Sequence, residues 1–163
     1  MTTYGPETTT DEVLLGHDLT GRHFMITGAS SGLGEESSRA LAQAGATVTM
    51  LARNQNKLDT AIERIKSTNP SAILNTGIAD LSDQQSIRDY AQEFLATGVT
   101  IDVLINNAGV MVCPYSKTVD GIEMQFGTNH IGHFLLTNLL MPAILAGTNP
   151  RIVNLSSAGH THS

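Results

Sequence analysis

The feature that most constrains this chain is an alternation. Short runs of apolar and β-branched residues recur between longer helix-type stretches: "HFMIT" precedes residues 34–44, "TVTMLA" precedes 55–67 and "AILNTGI" precedes 82–96. "DVLIN" then leads through a long loop into 127–145, and "RIVNLS" follows. Repeated strand, helix, strand order predicts βαβ units, and so a parallel sheet with helices on both faces. Central strands of such a sheet are buried on both sides and are continuously apolar, as "MIT", "VTML" and "VLI" are. Gly45, within "LAQAGATV", stands where a helix end takes a left-handed residue, between the first helix and the second strand. No period of about 20–50 residues repeats, which argues against a solenoid or propeller. The expected fold class is α/β, a doubly wound parallel sheet.

With 163 residues the chain fits one domain. Residues 1–20, rich in Thr and acidic side chains, are expected to be a flexible or surface-hugging lead-in, with the ordered domain over 21–163. A formal charge of -6 offers no basic surface for a phosphate backbone, so nucleic acid is not an expected partner. "MTTYGPETTTDEV" has neither a basic start nor an apolar core, so it does not read as a secretory signal. "FLLTNLLMPAILAG" is interrupted by Thr137, Asn138 and Pro142 and is too short to span a bilayer. A cytoplasmic protein with no transmembrane segment is expected. Cys113, the only cysteine, excludes an internal disulfide and reads as a small packed side chain.

The sharpest chemical signal is "TGASSGLG", residues 27–34, between the first strand and the first helix. Backbone can approach a pyrophosphate only where side chains are out of the way. The helix that opens after the loop aims unpaired N–H groups and its positive dipole end at the anion. Gly28 suits the tight turn, Gly32 the phosphate contact and Gly34 close packing of helix on strand. A Walker loop would need Lys and then Ser or Thr after its last glycine, where this chain has Glu35 and Glu36. The alternative is a glycine-rich turn without function, which the position after the first strand of a βαβ chain disfavours.

About 20 residues beyond such a loop, an acid binds the ribose hydroxyls of NAD, whereas an Arg accommodates the 2′-phosphate of NADP. "LARNQNK" places Arg53 there, with no carboxylate before Asp59. A guanidinium makes charge-assisted contacts to phosphate that a carboxylate would repel. NADP(H) is therefore expected in preference to NAD(H); a solvated Arg at a strand end is the alternative.

The Thr27-Gly28-x-x-x-Gly32-x-Gly34 spacing resembles the short-chain dehydrogenase/reductase family. So do "ADLSD" after the third strand, "NNAG" after the fourth, "FGTNHIGHFLL" in the long helix and "RIVNLSS" on the fifth strand. In detail "NNAGVM", "DGIEMQF" and "NHIGHFLLTNLL" look most like its retinol-dehydrogenase-like branch, which acts on lipophilic aldehydes, ketones and alcohols. The resemblance assigns Gly28, Ser30, Ser31, Gly32, Leu33 and Gly34 to the pyrophosphate loop and Arg53 to the 2′-phosphate. Asp80 and Leu81 would meet the adenine edge, and Asn106, Ala108 and Gly109 would line the coenzyme beside the fourth strand. Asn129 and Ser157 match the Asn and Ser of the family's catalytic tetrad. Taken one at a time, each has an ordinary structural reading. Asp80 could open the next helix, although Ser82 is the better cap, and Asn129 could solvate a helix break. His130 and His133, three apart, could face a metal, but no further ligand cluster completes a site, so none is expected.

The family's proton donor is a Tyr with a Lys four residues later, whose charge favours the phenolate. Tyr4, Tyr90 and Tyr115 are the tyrosines of this sequence, and none has that partner. The resemblance thus implies a Rossmann-type dinucleotide-binding domain over 21–163, its doubly wound sheet of strand order 3-2-1-4-5 and C-terminally incomplete. It implies an NADP(H)-dependent oxidoreductase of carbonyls or alcohols, represented by a truncated form of low or no activity. A noncatalytic module that binds NADP(H) or pairs with a full-length relative is the alternative. "RIVNLS" as an uncovered edge strand is expected to promote self-association.

Overall fold

A computed structural model describes residues 4–157 of the chain. The outer limits expected for the lead-in, residue 1, and for the domain, residue 163, lie outside the described residues. The five strands are β1 (His23–Thr27), β2 (Thr47–Ala52), β3 (Ile73–Ile78), β4 (Val103–Asn106) and β5 (Arg151–Asn154). They form one sheet of order β3-β2-β1-β4-β5 in which every pairing is parallel. Fold class is as the alternation predicts, and strand order is as the family resemblance implies.

Burial follows position in the sheet. Every residue of the central strand β1 is buried, whereas β5 is exposed along its whole length. One apolar cluster packs Met25, Leu51, Ile87 and Leu104 against Leu136 and Leu140, on one face of the sheet. The other packs Ile26, Val48 and Met50 against Leu58, Ala61 and Ile65. The helices covering these faces are α2 (Gly32–Gln43), α3 (Gln55–Thr68), α4 (Gln84–Ala96) and α6 (His133–Leu145). Gly45 has φ +94 just past α2, the left-handed stop its place in the sequence suggests.

Four details differ from the sequence expectation. The lead-in carries a one-turn helix, α1 (Thr10–Leu14), closed by a Thr9/Glu12 capping box. It is held on α2 by Arg39, which binds Asp11 at 2.8 Å and Glu36 at 2.7 Å. Next, α2 begins at Gly32, inside the glycine loop. Third, α4 is capped by Asp83, which accepts from the N–H groups of Gln85 and Ser86, because Ser82 is engaged with Asp80. Last, the stretch 127–145 is helical throughout but not uniformly α: a turn, α5 (Met124–Phe126), leads without a break into a π-helical segment, Gly127–Gly132, and then α6. Gly132 lies there because a Cβ would collide with the carbonyl of Leu81, so this backbone can press onto the loop before α4 only without a side chain.

Candidate active site

The carboxyl ends of parallel strands are where open α/β sheets bind ligands. Here two adjoining cavities of about 690 Å³ and about 840 Å³ share Asn107, Ala108, Gly109, Val110 and Leu155, forming one groove. The smaller is lined by Gly28, Ser30, Ser31, Leu33 and Gly34 of the glycine loop, by Arg53 after β2, and by Asp80 and Leu81 after β3. Asn106, Asn129 and Ser157 line the larger one. The sequence-derived residues are thus brought together along a single groove, Ala108 and Gly109 serving both halves. Gly32 does not line it directly; it turns the chain at φ +59, and a Cβ there would meet nothing within 4 Å.

The start of α2 is built differently from its neighbours. Side chains cap α3 (Asn54) and α4 (Asp83), but Ser31 makes no capping hydrogen bond at α2. The first N–H groups of a helix have no intrahelical partner, so this end is left open to an anion. Arg39 and Arg64 are spent on Glu36 and Glu35. Arg53, exposed at the groove, forms no ion pair among the described residues. These features fit a dinucleotide: an open cradle of main-chain amides, and a guanidinium where the adenosine end would lie.

Asp80 turns its carboxylate onto Ser82, accepting from its N–H at 2.9 Å and its hydroxyl at 2.6 Å, while the main-chain N–H of Asp80 donates to Ser86 Oγ at 3.0 Å. Asn106 is a strut, its Nδ2 donating to Thr137 Oγ1 of α6 and to Asn154 Oδ1 of β5. Asn129 grips the loop after β4 with both ends of its amide: Oδ1 accepts from Val110 N–H and Nδ2 donates to Val110 C=O, each at 2.8 Å.

Three further residues organise the site, although none was given a role in it from sequence. Thr27 Oγ1 accepts from the N–H groups of Asn107 (2.9 Å) and Ala108 (3.0 Å) and lies 2.8 Å from His133 Nε2. Asn107 Nδ2 donates to Thr27 C=O at 2.8 Å. His133, weighed above only for metal spacing, is buried with both ring nitrogens engaged. Burial holds its imidazole below the usual histidine range, aided by the neighbouring His130 and opposed by the Asn129 carbonyl. A hydroxyl closing a strand and a histidine opening a helix look ordinary in sequence; they become informative once the strand end and the π turn are known to meet.

A family model described as short chain dehydrogenase matches residues 22–162. The chain belongs to the short-chain dehydrogenase family. Its sequence is 46% identical over 142 residues to retinol dehydrogenase 11 of Mus musculus, covering 87% of this chain and 45% of that protein. To the short-chain dehydrogenase TIC 32 B, chloroplastic, of Brassica napus it is 44% identical over 167 residues, covering 98% of this chain and 52% of that one. This short-chain dehydrogenase chain is therefore a retinol-dehydrogenase-like member, and it spans about half the length of the curated relatives it matches. A solved metagenomic short-chain oxidoreductase in complex with NADP matches it with TM-score 0.70 and 32% identity, over 85% of this chain and 63% of that one. Among the described residues, no helix is long and apolar enough to cross a membrane.

Proposed function

We propose that this chain is the coenzyme-binding part of an NADP(H)-dependent oxidoreductase acting on a lipophilic carbonyl or alcohol. The observation that carries the reading is the uncapped, glycine-opened start of α2, facing a groove that has Arg53 at one end and Asn129 with Ser157 at the other. Main-chain amides after Gly28 would receive the pyrophosphate, and Arg53 the 2′-phosphate. The bound coenzyme would supply or accept a hydride. Ser157 would donate a hydrogen bond to the substrate oxygen, and Asn129 would hold the groove wall at Val110. The NADP complex of the metagenomic relative supports the coenzyme choice.

Within 163 residues the proton donor has no candidate of the family type. Tyr90 is buried against Met25, and burial pushes its phenol well above the usual range, away from use as an acid. Tyr115 has Lys117 two residues on instead of four. The 163-residue species is accordingly proposed to bind NADP(H) while turning over slowly, a missing general acid costing on the order of 10²–10⁴ in rate. The same observation favours a second reading, a noncatalytic coenzyme-binding module. The exposed β5 edge supports self-association in either case, and the cytoplasmic setting belongs to the proposal as well.

Titration of the purified chain with NADPH and NADH tests the first part: saturable NADPH binding, tighter than NADH, is expected. A retinaldehyde or alkyl aldehyde assay with NADPH separates the readings. Slow turnover abolished by Ser157→Ala marks the enzyme, whereas coenzyme binding with no turnover at all marks the module. A fluorescent fusion held in plastids or on membranes would remove the cytoplasmic assignment.

A further inference from the structure

The strip of residues 107–110 forms the wall common to both halves of the groove. It is held at one end by the Thr27 hydroxyl, which takes the N–H groups of Asn107 and Ala108, and at the other by the Asn129 amide, which takes Val110. Those two holders are themselves joined. His133 Nδ1 lies 2.8 Å from the Asn129 carbonyl, and Nε2 lies 2.8 Å from Thr27 Oγ1. The π-helical segment makes room for this. The main-chain N–H of His133 goes to the His130 carbonyl, and the imidazole reaches the carbonyl of Asn129.

The partners determine where the protons are. A carbonyl can only accept, so Nδ1 carries the hydrogen. Thr27 Oγ1 already receives two N–H groups, which fill its lone pairs; its one proton faces Nε2 at 2.8 Å and the Ile105 carbonyl at 3.5 Å, and the much shorter contact makes Nε2 the acceptor. A cationic ring, or the opposite tautomer, would set donor against donor at a residue only 6% exposed. The result is a closed ring of contacts: Thr27, the strip, Asn129, His133, and Thr27 again.

We propose that His133, as its neutral Nδ1–H tautomer, is a positioning residue for the coenzyme groove, joining Thr27 to the Asn129 turn and thereby fixing strip 107–110. This rests on the coenzyme-binding reading above. His133 touches neither coenzyme nor substrate in this scheme; it raises the fraction of molecules whose groove wall is already in the binding arrangement, and apparent affinity scales with that fraction.

Nitrogen NMR of the ¹⁵N-histidine-labelled chain should show His133 with Nδ1 protonated and Nε2 unprotonated; a protonated Nε2 would overturn the proposal without any variant being made. His133→Phe keeps a ring but loses both hydrogen bonds, whereas His133→Gln retains one donor and one acceptor. Loss of a buried hydrogen-bond partner predicts NADPH binding about 10-fold weaker in His133→Phe. His133→Gln should restore most of it. Thr27→Val, which removes the hydroxyl, should weaken binding as His133→Phe does, and the double variant should be no worse than either single one. Equal loss in Phe and Gln variants, or full additivity with Thr27→Val, would show that packing and not the hydrogen-bonded link is responsible, and would overturn the assignment. A wild-type chain that binds no NADPH would sink the coenzyme reading and this proposal together; a binding wild type with insensitive variants sinks this proposal alone.

Discussion

The backbones of Gly28 and Ala108 are in contact across the head of the sheet: a Cβ on Gly28 would stand 2.8 Å from the Ala108 Cα. The glycine loop and the strip after β4 can approach this closely only because the residue at 28 has no side chain, and its φ of +67 is one that other residues adopt at a cost of about 1–2 kcal/mol. Gly28→Ala is therefore expected to lower both stability, by at least about 1–2 kcal/mol in urea unfolding, and NADPH affinity. Gly32→Ala should behave differently. Its φ of +59 carries a similar backbone cost, but its Cβ would meet no protein atom within 4 Å, so its loss of stability should be the smaller of the two. Unchanged NADPH affinity in both variants would show that the loop is not a phosphate cradle.

Arg53 separates the two coenzymes. Hydrogen bonds to a charged group contribute about 1.5–3 kcal/mol, so Arg53→Ala should weaken NADPH binding about 10- to 100-fold. NADH binding should change little, since it lacks the 2′-phosphate. Parallel fluorescence titrations of both coenzymes check this, and an equal loss for the two would assign Arg53 a structural role.

At the other end of the sheet, Asp102 joins β1, β4 and the approach to β5. Its carboxylate accepts from His23 N–H at 2.8 Å and from Thr148 N–H at 2.5 Å, and Arg22 Nε lies 3.4 Å away. Burial pushes this carboxyl up, but the two N–H groups and the guanidinium outweigh it, so the net shift is below 3.8. A depressed carboxylate adds stability that is present above the unfolded value and is lost as pH falls through the folded one. Asp102→Asn would point an NH₂ group at one of those N–H donors. It should cost about 1–3 kcal/mol at pH 7 and flatten the loss of stability below pH about 4, as read by denaturant unfolding against pH. An unchanged acid limb would show that other carboxylates govern it.

The framework was legible because each strand and helix carries its own period, and because burial on both faces forces continuous apolar runs in β1 and β2. The glycine loop was legible for a similar reason: close approach of backbone to backbone leaves a residue-type signature at fixed spacing. Thr27 opens that spacing, but its link to His133 left no signature, since a hydroxyl and an imidazole satisfy many environments and their meeting depends on two segments about a hundred residues apart in sequence (positions 27 and 133). The π segment was hidden because a one-residue change of helical register does not disturb the apolar pattern of 127–145. Asp83 displaced Ser82 as cap for a local reason, Ser82 being held in a turn by the Asp80 carboxylate two residues before it.

Strand β5 pairs with β4 on one side, and its side chains are open on the faces of the sheet, with Ile152 38% and Val153 43% exposed. Leu155 just beyond it and Phe134 on α6 are also exposed, extending the apolar surface. An unpaired strand edge offers N–H and C=O groups as a template for another chain, and exposed apolar side chains add a driving force for contact. The isolated chain should therefore show concentration-dependent association in sedimentation velocity. Val153→Lys places a charge in the middle of this edge, the device by which edge strands resist pairing. It should shift the distribution to monomer while leaving NADPH affinity unaltered, since Val153 lies outside both cavities of the groove. Association that persists in Val153→Lys would place the contact elsewhere, and a monomeric wild type at high concentration would remove the edge as an interface.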